Sequence, residues 1–183
     1  AHAVVPAASG SLVTKIWKGL NEFASLGLIK SVKTRMHLVQ AGGCAPIAQA
    51  FEEGSTHVRP VRPNSIAKSL AIGNPADGVY ALQVVKDSGG SATIVPEEEV
   101  AEGMKLLAET EGIFAETAGG VVISSLKRLT QLGKIKPDEP TVAFITGNGL
   151  KTQEVVAEIV NPMYIKPTIE SFEEAMSLRA VAH

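Results

Sequence analysis

Short apolar runs, several followed by a glycine-bearing turn and a longer stretch of helical spacing, recur along this 183-residue chain and constrain its fold more than any other feature. Ala3-Val4-Val5-Pro6 leads through Ser9-Gly10-Ser11 into a segment, Leu12 to Leu26, whose Leu12, Ile16, Leu20 and Phe23 share one helical face. Gly27 supplies its C-terminal stop. Arg35 to Gln40 and Ala92 to Val95 read as further strands, with a brief helix from Pro46 to Phe51. Residues 53–65, rich in Gly, Ser, Pro and Asn, read as a surface loop, and Ser65 to Leu70 as a short helix. Asn74-Pro75 predicts a helix running to Lys86, with Asn as cap and Pro at the first helical position. Pro96-Glu97-Glu98-Glu99 opens another, because carboxylates favour the positive end of a helix dipole; its apolar stripe is Val100, Met104, Leu107 and Ala108. Phe114 to Gly120 reads as a turn, Val121 to Leu132 as a helix closed by Gly133, and Thr141 to Ile145 as the last strand. Alternation of this kind predicts an α/β layer arrangement.

Charge and cysteine content exclude whole classes. The 17 Lys and Arg against 19 Asp and Glu leave a net charge of −2, so no basic surplus exists to neutralise a nucleic-acid backbone. Cys44 is the only cysteine, which excludes an intramolecular disulfide and a cysteine-based zinc site. His2, His37, His57 and His183 have no metal-ligand spacing. No apolar run reaches the roughly 18 residues that a membrane span needs. The opening residues, Ala1 to Ala8, lack the basic start and long apolar middle of a signal peptide. They enter a strand directly and without Met, which is read as the start of a piece of a longer protein, a processed start being the alternative.

Two glycine turns are candidate sites. In Ala8-Ser9-Gly10-Ser11-Leu12 the glycine lets backbone approach a ligand, the serines offer hydroxyls, and free amides at the helix start attract anions. Neither a P-loop nor a dinucleotide fingerprint is present. Thr146-Gly147-Asn148-Gly149-Leu150-Lys151 follows the last strand, where open α/β sheets place ligands; the competing reading is an ordinary turn. Two Ser-x-x-Lys strings, Ser65 to Lys68 and Ser124 to Lys127, lack the companion motifs of a serine nucleophile. Cys44 reads as a structural thiol despite His37 nearby in sequence. Glu97 to Glu99 reads as a helix-start charge cluster, and Glu109 and Glu111 as a solvated face.

Five strings in order carry more information than any one alone. They are Ala8-Ser9-Gly10-Ser11-Leu12 with Thr14-Lys15-Ile16; Gln40-Ala41-Gly42-Gly43-Cys44-Ala45-Pro46-Ile47; Ala67-Lys68-Ser69-Leu70-Ala71-Ile72-Gly73-Asn74-Pro75-Ala76; Glu111-Gly112-Ile113-Phe114-Ala115-Glu116-Thr117-Ala118-Gly119-Gly120; and Thr146-Gly147-Asn148-Gly149-Leu150-Lys151. With these the chain resembles threonine synthase, among the pyridoxal-phosphate enzymes of the tryptophan-synthase-β type, from about Ala1 to Glu158.

The resemblance implies a three-layer open twisted sheet, part of the large domain of a fold type II pyridoxal-phosphate enzyme, over residues 1–160; the remainder, 161–183, lies outside it and reads from its own residues as a tail with a helix near Ser171 to Leu178. It implies that Ser9, Gly10, Ser11 and Leu12 bind the cofactor phosphate, where some members carry G-N-x-G-N. Ala71, Ile72 and Gly73 would run beside the cofactor ring, Glu116 would stand in the wall near it, and the Thr146 hydroxyl would meet the pyridine nitrogen. The family's Schiff-base lysine, in an S-F-K-D type motif, has no match among these residues and is expected upstream, so the chain alone is expected to be inactive. Also implied are O-phospho-L-homoserine as substrate, L-threonine and phosphate as products, a homodimer, and a cytoplasmic location, with no metal. The alternatives are a serine or threonine dehydratase of the same class and a non-catalytic small-molecule or anion-binding domain.

Overall fold

A computed structural model describes residues 1–160 and 163–181. In chain order the elements are β1 (His2–Pro6), α1 (Ser11–Ser25), β2 (Arg35–Ala41), α2 (Pro46–Glu52), α3 (Gly78–Asp87), β3 (Ser91–Val95), α4 (Glu98–Glu111), α5 (Thr117–Gln131), β4 (Thr141–Ala143), α6 (Ala157–Val160) and α7 (Ile169–Val181). The strands form one parallel sheet in the order β3-β2-β1-β4. Val5 stands opposite Leu38, Val39 opposite Thr93, and His2 opposite Thr141.

β1 lies between β2 and β4, and all five of its residues are buried. A parallel strand covered on both faces must be apolar on both, which is why this run does not alternate with polar residues. Ala3, Val5, Met36 and Leu38 project to one side, where they pack with Val13 of α1, Ile47 of α2, and Leu82 and Val85 of α3. Val4, Val39, Ala41 and Val95 project to the other, against Ala118, Val121 and Val122 of α5 and Val100 of α4. The result is the three-layer arrangement. Each Val, Leu or Ile so buried contributes about 1.5–3 kcal/mol relative to exposure.

α5 packs against all four strands, and α4 packs on α5. Their backbones meet without intervening side chains. A Cβ on Gly103 would lie 2.2 Å from the Gly120 carbonyl oxygen, and one on Gly120 would lie 2.3 Å from the Val100 carbonyl oxygen. This corrects the expected turn at Phe114 to Gly120: Thr117 to Gly120 form the first turn of α5. Of the Gly119-Gly120 pair, which reads as a breaker locally, Gly120 is required by the helix contact, and a Cβ on Gly119 would lie 2.5 Å from Ala115 Cβ.

Other boundaries shift for local reasons. The helix expected from Asn74-Pro75 begins at Gly78, because residues 74–77 form a turn in which the Asp77 amide donates to the Ser9 carbonyl at 2.9 Å. Only Lys68–Leu70 of the expected helix from Ser65 is helical, as one 3₁₀ turn, since the Ser65 hydroxyl accepts the Ala67 amide at 3.0 Å. β4 ends at Ala143, where the expected strand ran to Ile145. The helix expected near Ser171 to Leu178 is α7. The expected division between residues 160 and 161 falls at Asn161 and Pro162, which, like His183, lie outside the described residues.

At the amino ends of the strands a buried polar chain replaces apolar packing. Glu139 Oε2 lies 3.2 Å from His2 Nε2, His2 Nδ1 shares a hydrogen bond with His37 Nε2 at 2.8 Å, and His37 Nδ1 shares one with Ser91 Oγ at 2.8 Å. The imidazoles stack with centroids 5.1 Å apart. Burial, then the charges of His2, Lys134 and Arg35, lower the His37 pKa from 6.5 to about 4.

Two predictions follow from this packing. Gly120→Ala is expected to destabilise the chain by about 1–3 kcal/mol, since the methyl has no room, whereas Gly19→Ala in α1, where a Cβ meets nothing within 4 Å, is expected to stabilise it by up to about 1 kcal/mol; urea denaturation of both variants checks the opposite signs. His37 is neutral when folded and takes up a proton more readily when unfolded. Its contribution is therefore complete above pH 6.5 and is lost as pH falls toward about 4. The loss is roughly 3 kcal/mol over that window. The depressed carboxyls of Glu99 and Glu139 act only below their ordinary value of 4.5. Stability measured from pH 7 to 4.5 is expected to fall in the wild type and to be flatter in His37→Gln.

Candidate functional site

The carboxyl end of the sheet holds a cavity of about 260 Å³ lined by residues from four separate segments: Pro6 and Ala8 to Leu12 after β1, Ser69 and Leu70 from the 3₁₀ turn, Glu116 before α5, and Thr146 after β4. It lies at the carboxyl ends of β1 and β4, where a parallel sheet directs ligands. A larger groove of about 530 Å³ runs between the outward faces of α4 and α5, lined by Glu99, Glu102, Lys105, Lys127 and Arg128 among others. It sits on the surface of a helix pair, and no strand end converges on it.

The turn from β1 to α1 is fixed from three directions. Ala7 donates its amide to Val39 at 3.0 Å, the Ser9 carbonyl accepts the Asp77 amide, and the Ser9 hydroxyl accepts the Ser11 amide at 3.3 Å. Gly10 has φ 89°, and a Cβ there would come within 2.8 Å of Ala81 Cβ and 2.9 Å of the Asp77 carbonyl oxygen. Only glycine combines that conformation with that proximity. α1 has no acidic residue in its first turn. The amides of Leu12 and Val13 lie in that turn, where a helix has no carbonyls for its own N–H groups, so it presents free donors at its positive end. An anion fits here.

The opposite wall is built by a second pair of segments. Ala115 and Asn148 form an isolated antiparallel bridge, Gly149 donates to the Phe114 carbonyl at 3.0 Å, and Thr117 donates to Thr152 Oγ1 at 3.2 Å. Glu116 is held between them with 4% of its surface exposed. Its Oε1 lies 2.1 Å from the position a Gly147 Cβ would take, and its Oε2 is 2.9 Å from Lys151 Nζ. Thr146 is half-buried beside it.

Of the residues marked from sequence, Ser9, Gly10, Ser11, Leu12, Glu116 and Thr146 therefore meet in one cavity. Ala71, Ile72 and Gly73 are not among its described lining residues; Ser69 and Leu70 are. Gly73 is spent elsewhere: its carbonyl accepts the Val61 amide at 2.9 Å, and a Cβ would lie 2.0 Å from the Val61 oxygen. Lys68 is exposed and does not line the cavity.

Sequence reasoning missed the residues that act through the backbone. Glu97 ties two loops together, Oε1 accepting the Gly43 amide and Oε2 the Ile66 amide, both at 2.8 Å. Glu99 forms a two-point ion pair with Arg128, which holds its carboxyl below the usual range. Neither is an isolated helix-start charge. Gln40, fully buried, accepts the Ile47 and Ala48 amides at 3.0 Å and so caps α2. A glutamine inside an apolar strand was the available signal.

Cys44 is buried, and desolvation followed by the Glu97 charge pushes its thiol up; His37 is engaged with His2 and Ser91. Ser124 donates to the Glu99 carbonyl at 2.7 Å, and its neighbour Lys127 is exposed. Among the described residues no group of three His, Cys, Asp or Glu side chains could hold a metal ion, and no helix is long and apolar enough to cross a membrane.

The family model for pyridoxal-phosphate dependent enzymes matches residues 1–147. The chain belongs to that family. Several curated relatives carry the name threonine synthase. The threonine synthase of Methanocaldococcus jannaschii is 40% identical over 151 residues, which is 82% of this chain and 37% of that protein. That of Methanosarcina acetivorans is 34% identical over 175 residues, 94% of this chain and 43% of that protein. The chain thus spans less than half the length of these relatives. Among solved structures, an L-serine ammonia-lyase from the fungus Rhizomucor miehei superposes with a TM-score of 0.64 at 20% identity, over 85% of this chain and 49% of that one. Maize serine racemase gives 0.56 at 17% identity, over 97% and 47%. The fold is the fold type II sheet of pyridoxal-phosphate enzymes, and the family's cofactor is pyridoxal phosphate.

The turn before α1 makes a direct prediction. In the full-length protein Gly10→Ala strains the backbone and pushes on α3, so pyridoxal phosphate affinity is expected to fall roughly tenfold or more, as when one charge-assisted hydrogen bond is lost. Fluorescence titration checks this, with thermal unfolding of the cofactor-free variant to show that the fold is retained.

Proposed function

We propose that this chain is the C-terminal portion of a threonine synthase that converts O-phospho-L-homoserine and water to L-threonine and phosphate. The observation that carries the reading is the convergence of Ser9 to Leu12, Glu116 and Thr146 on one cavity at the sheet's carboxyl end. Support for this activity over a dehydratase comes from curated relatives named threonine synthase at 31–40% identity. The same reading makes residues 1–160 part of the large domain and 161–183 a tail, and makes the protein a cytoplasmic homodimer.

Pyridoxal phosphate, when bound, supplies an electron sink for the carbanion charge of the substrate. In this reading Ser9, Gly10, Ser11 and Leu12 hold its phosphate with backbone amides and hydroxyls. Thr146 offers a neutral hydroxyl to the ring nitrogen, which tunes the ring less strongly than a carboxylate would. Leu70 supplies an apolar wall and Glu116 closes the side away from α1. The cavity has no lysine among its described lining residues. The reading therefore places the lysine that loads the cofactor, and later moves the substrate's proton, on a segment outside these residues.

The test is turnover. Full-length protein with O-phosphohomoserine is expected to yield threonine and phosphate in equal amounts, and the 183-residue chain with added pyridoxal phosphate is expected to yield neither. Formation of 2-oxobutanoate from threonine, or pyruvate from serine, by a full-length protein that leaves O-phosphohomoserine untouched would establish the dehydratase instead.

A further inference from the structure

The only ionisable side chain among the described lining residues of the cavity is Glu116, an anion, in a site whose family cofactor carries a phosphate. A cavity this small brings like charges close enough to repel through a partly desolvated interior, which would oppose ligand binding. The one charge partner of Glu116 among the described residues is Lys151, with Nζ 2.9 Å from Oε2. The carboxylate is buried, with 5% of its side chain exposed, whereas the lysine side chain is 60% exposed and is not a lining residue. The cation therefore stands behind the wall rather than in the cavity.

The backbone is arranged to keep it there. Gly149 to Lys151 form a 3₁₀ turn capped by Asn148, whose side chain accepts the Leu150 amide at 2.9 Å and whose carbonyl accepts the Lys151 amide at 3.1 Å. Gly149 and Thr152, on either side of the pair Leu150-Lys151, are bonded to Phe114 and Thr117, on either side of Glu116. Glu116 Oε1 occupies the space that a side chain at Gly147 would need. The carboxylate is buried in the wall between these segments, and Lys151 is the cation that meets its charge there.

We propose that Lys151 is a positioning residue that neutralises the buried Glu116 carboxylate and so makes the cavity able to accept the phosphate of its cofactor. This rests on the reading that the cavity holds pyridoxal phosphate, and it does not depend on which substrate is turned over. Lys151 acts through Glu116 and makes no contact with ligand.

The experiment is fluorescence titration of the full-length, cofactor-stripped protein with pyridoxal phosphate and, separately, with pyridoxal, which lacks the phosphate. Circular dichroism first establishes that each variant is folded. Lys151→Met is expected to weaken pyridoxal phosphate binding up to about fivefold, the range for one solvent-screened ion pair, and to weaken pyridoxal binding much less. Lys151→Arg, which keeps the charge, is expected to restore most of the affinity. The double variant Lys151→Met with Glu116→Gln is expected to bind pyridoxal phosphate more tightly than Lys151→Met alone. A purely structural lysine would lower both ligands equally and would gain nothing from Glu116→Gln; either result overturns the proposal. So does unchanged pyridoxal phosphate affinity in Lys151→Met while the wild type binds, which leaves the site reading standing. A wild type that fails to bind pyridoxal phosphate overturns both. Loss of threonine formation with binding and its charge dependence intact would count only against the assigned reaction.

Discussion

Gly10 touches the start of α3 so closely that no side chain fits between them, and the cavity depends on that contact. The Asp77 amide is fastened to the Ser9 carbonyl, and Ala81 Cβ and the Asp77 oxygen fill the space beside Gly10. This clamp aims the axis of α1 and with it the free amides of the first turn. It also delays α3, because residues 74–77 are used to build the clamp before the helix can start. Sheet, turn and two helices are thus adjusted to one another at a single backbone contact, and one wall of the cavity is its by-product.

The two walls of the cavity have different physical characters. The α1 side is made of backbone dipoles, which are fixed by secondary structure and carry no net charge. The α5 side carries a full charge, stabilised by a loop laid antiparallel to residues 114–117. α5 is itself held by its seam with α4, where Gly103 and Gly120 let the two backbones meet. The position of Glu116 therefore depends on contacts well away from the cavity.

The layered fold was legible because β1 and β2 are covered on both faces and must be apolar for most of their length, as Ala3 to Pro6 and, apart from His37, Met36 to Val39 are. Helix α1 was legible because Ile16, Leu20 and Gly27 follow a local rule. What escaped local rules was decided by distant partners. Gly119-Gly120 suggests a turn until Val100 and Gly103 are brought against it, and Ser65 to Leu70 suggests a helix until the Ser65 hydroxyl takes the Ala67 amide. The site behaved in the same way. Ser9 to Leu12 and Thr146 were legible because each is a glycine turn after a strand. Ser69 and Leu70 line the cavity while Gly73 pairs with Val61, a long-range contact that no local pattern announces.

The histidine chain from Glu139 to Ser91 lies at the amino ends of the strands, a full strand length from the cavity at their carboxyl ends. The titratable histidine chain and the cavity therefore occupy opposite poles of one sheet. Substitutions that trade these imidazoles for apolar residues act a strand's length away from the cavity. The same separation gives an engineer two independent dials, one for durability and one for specificity, within a chain of 183 residues.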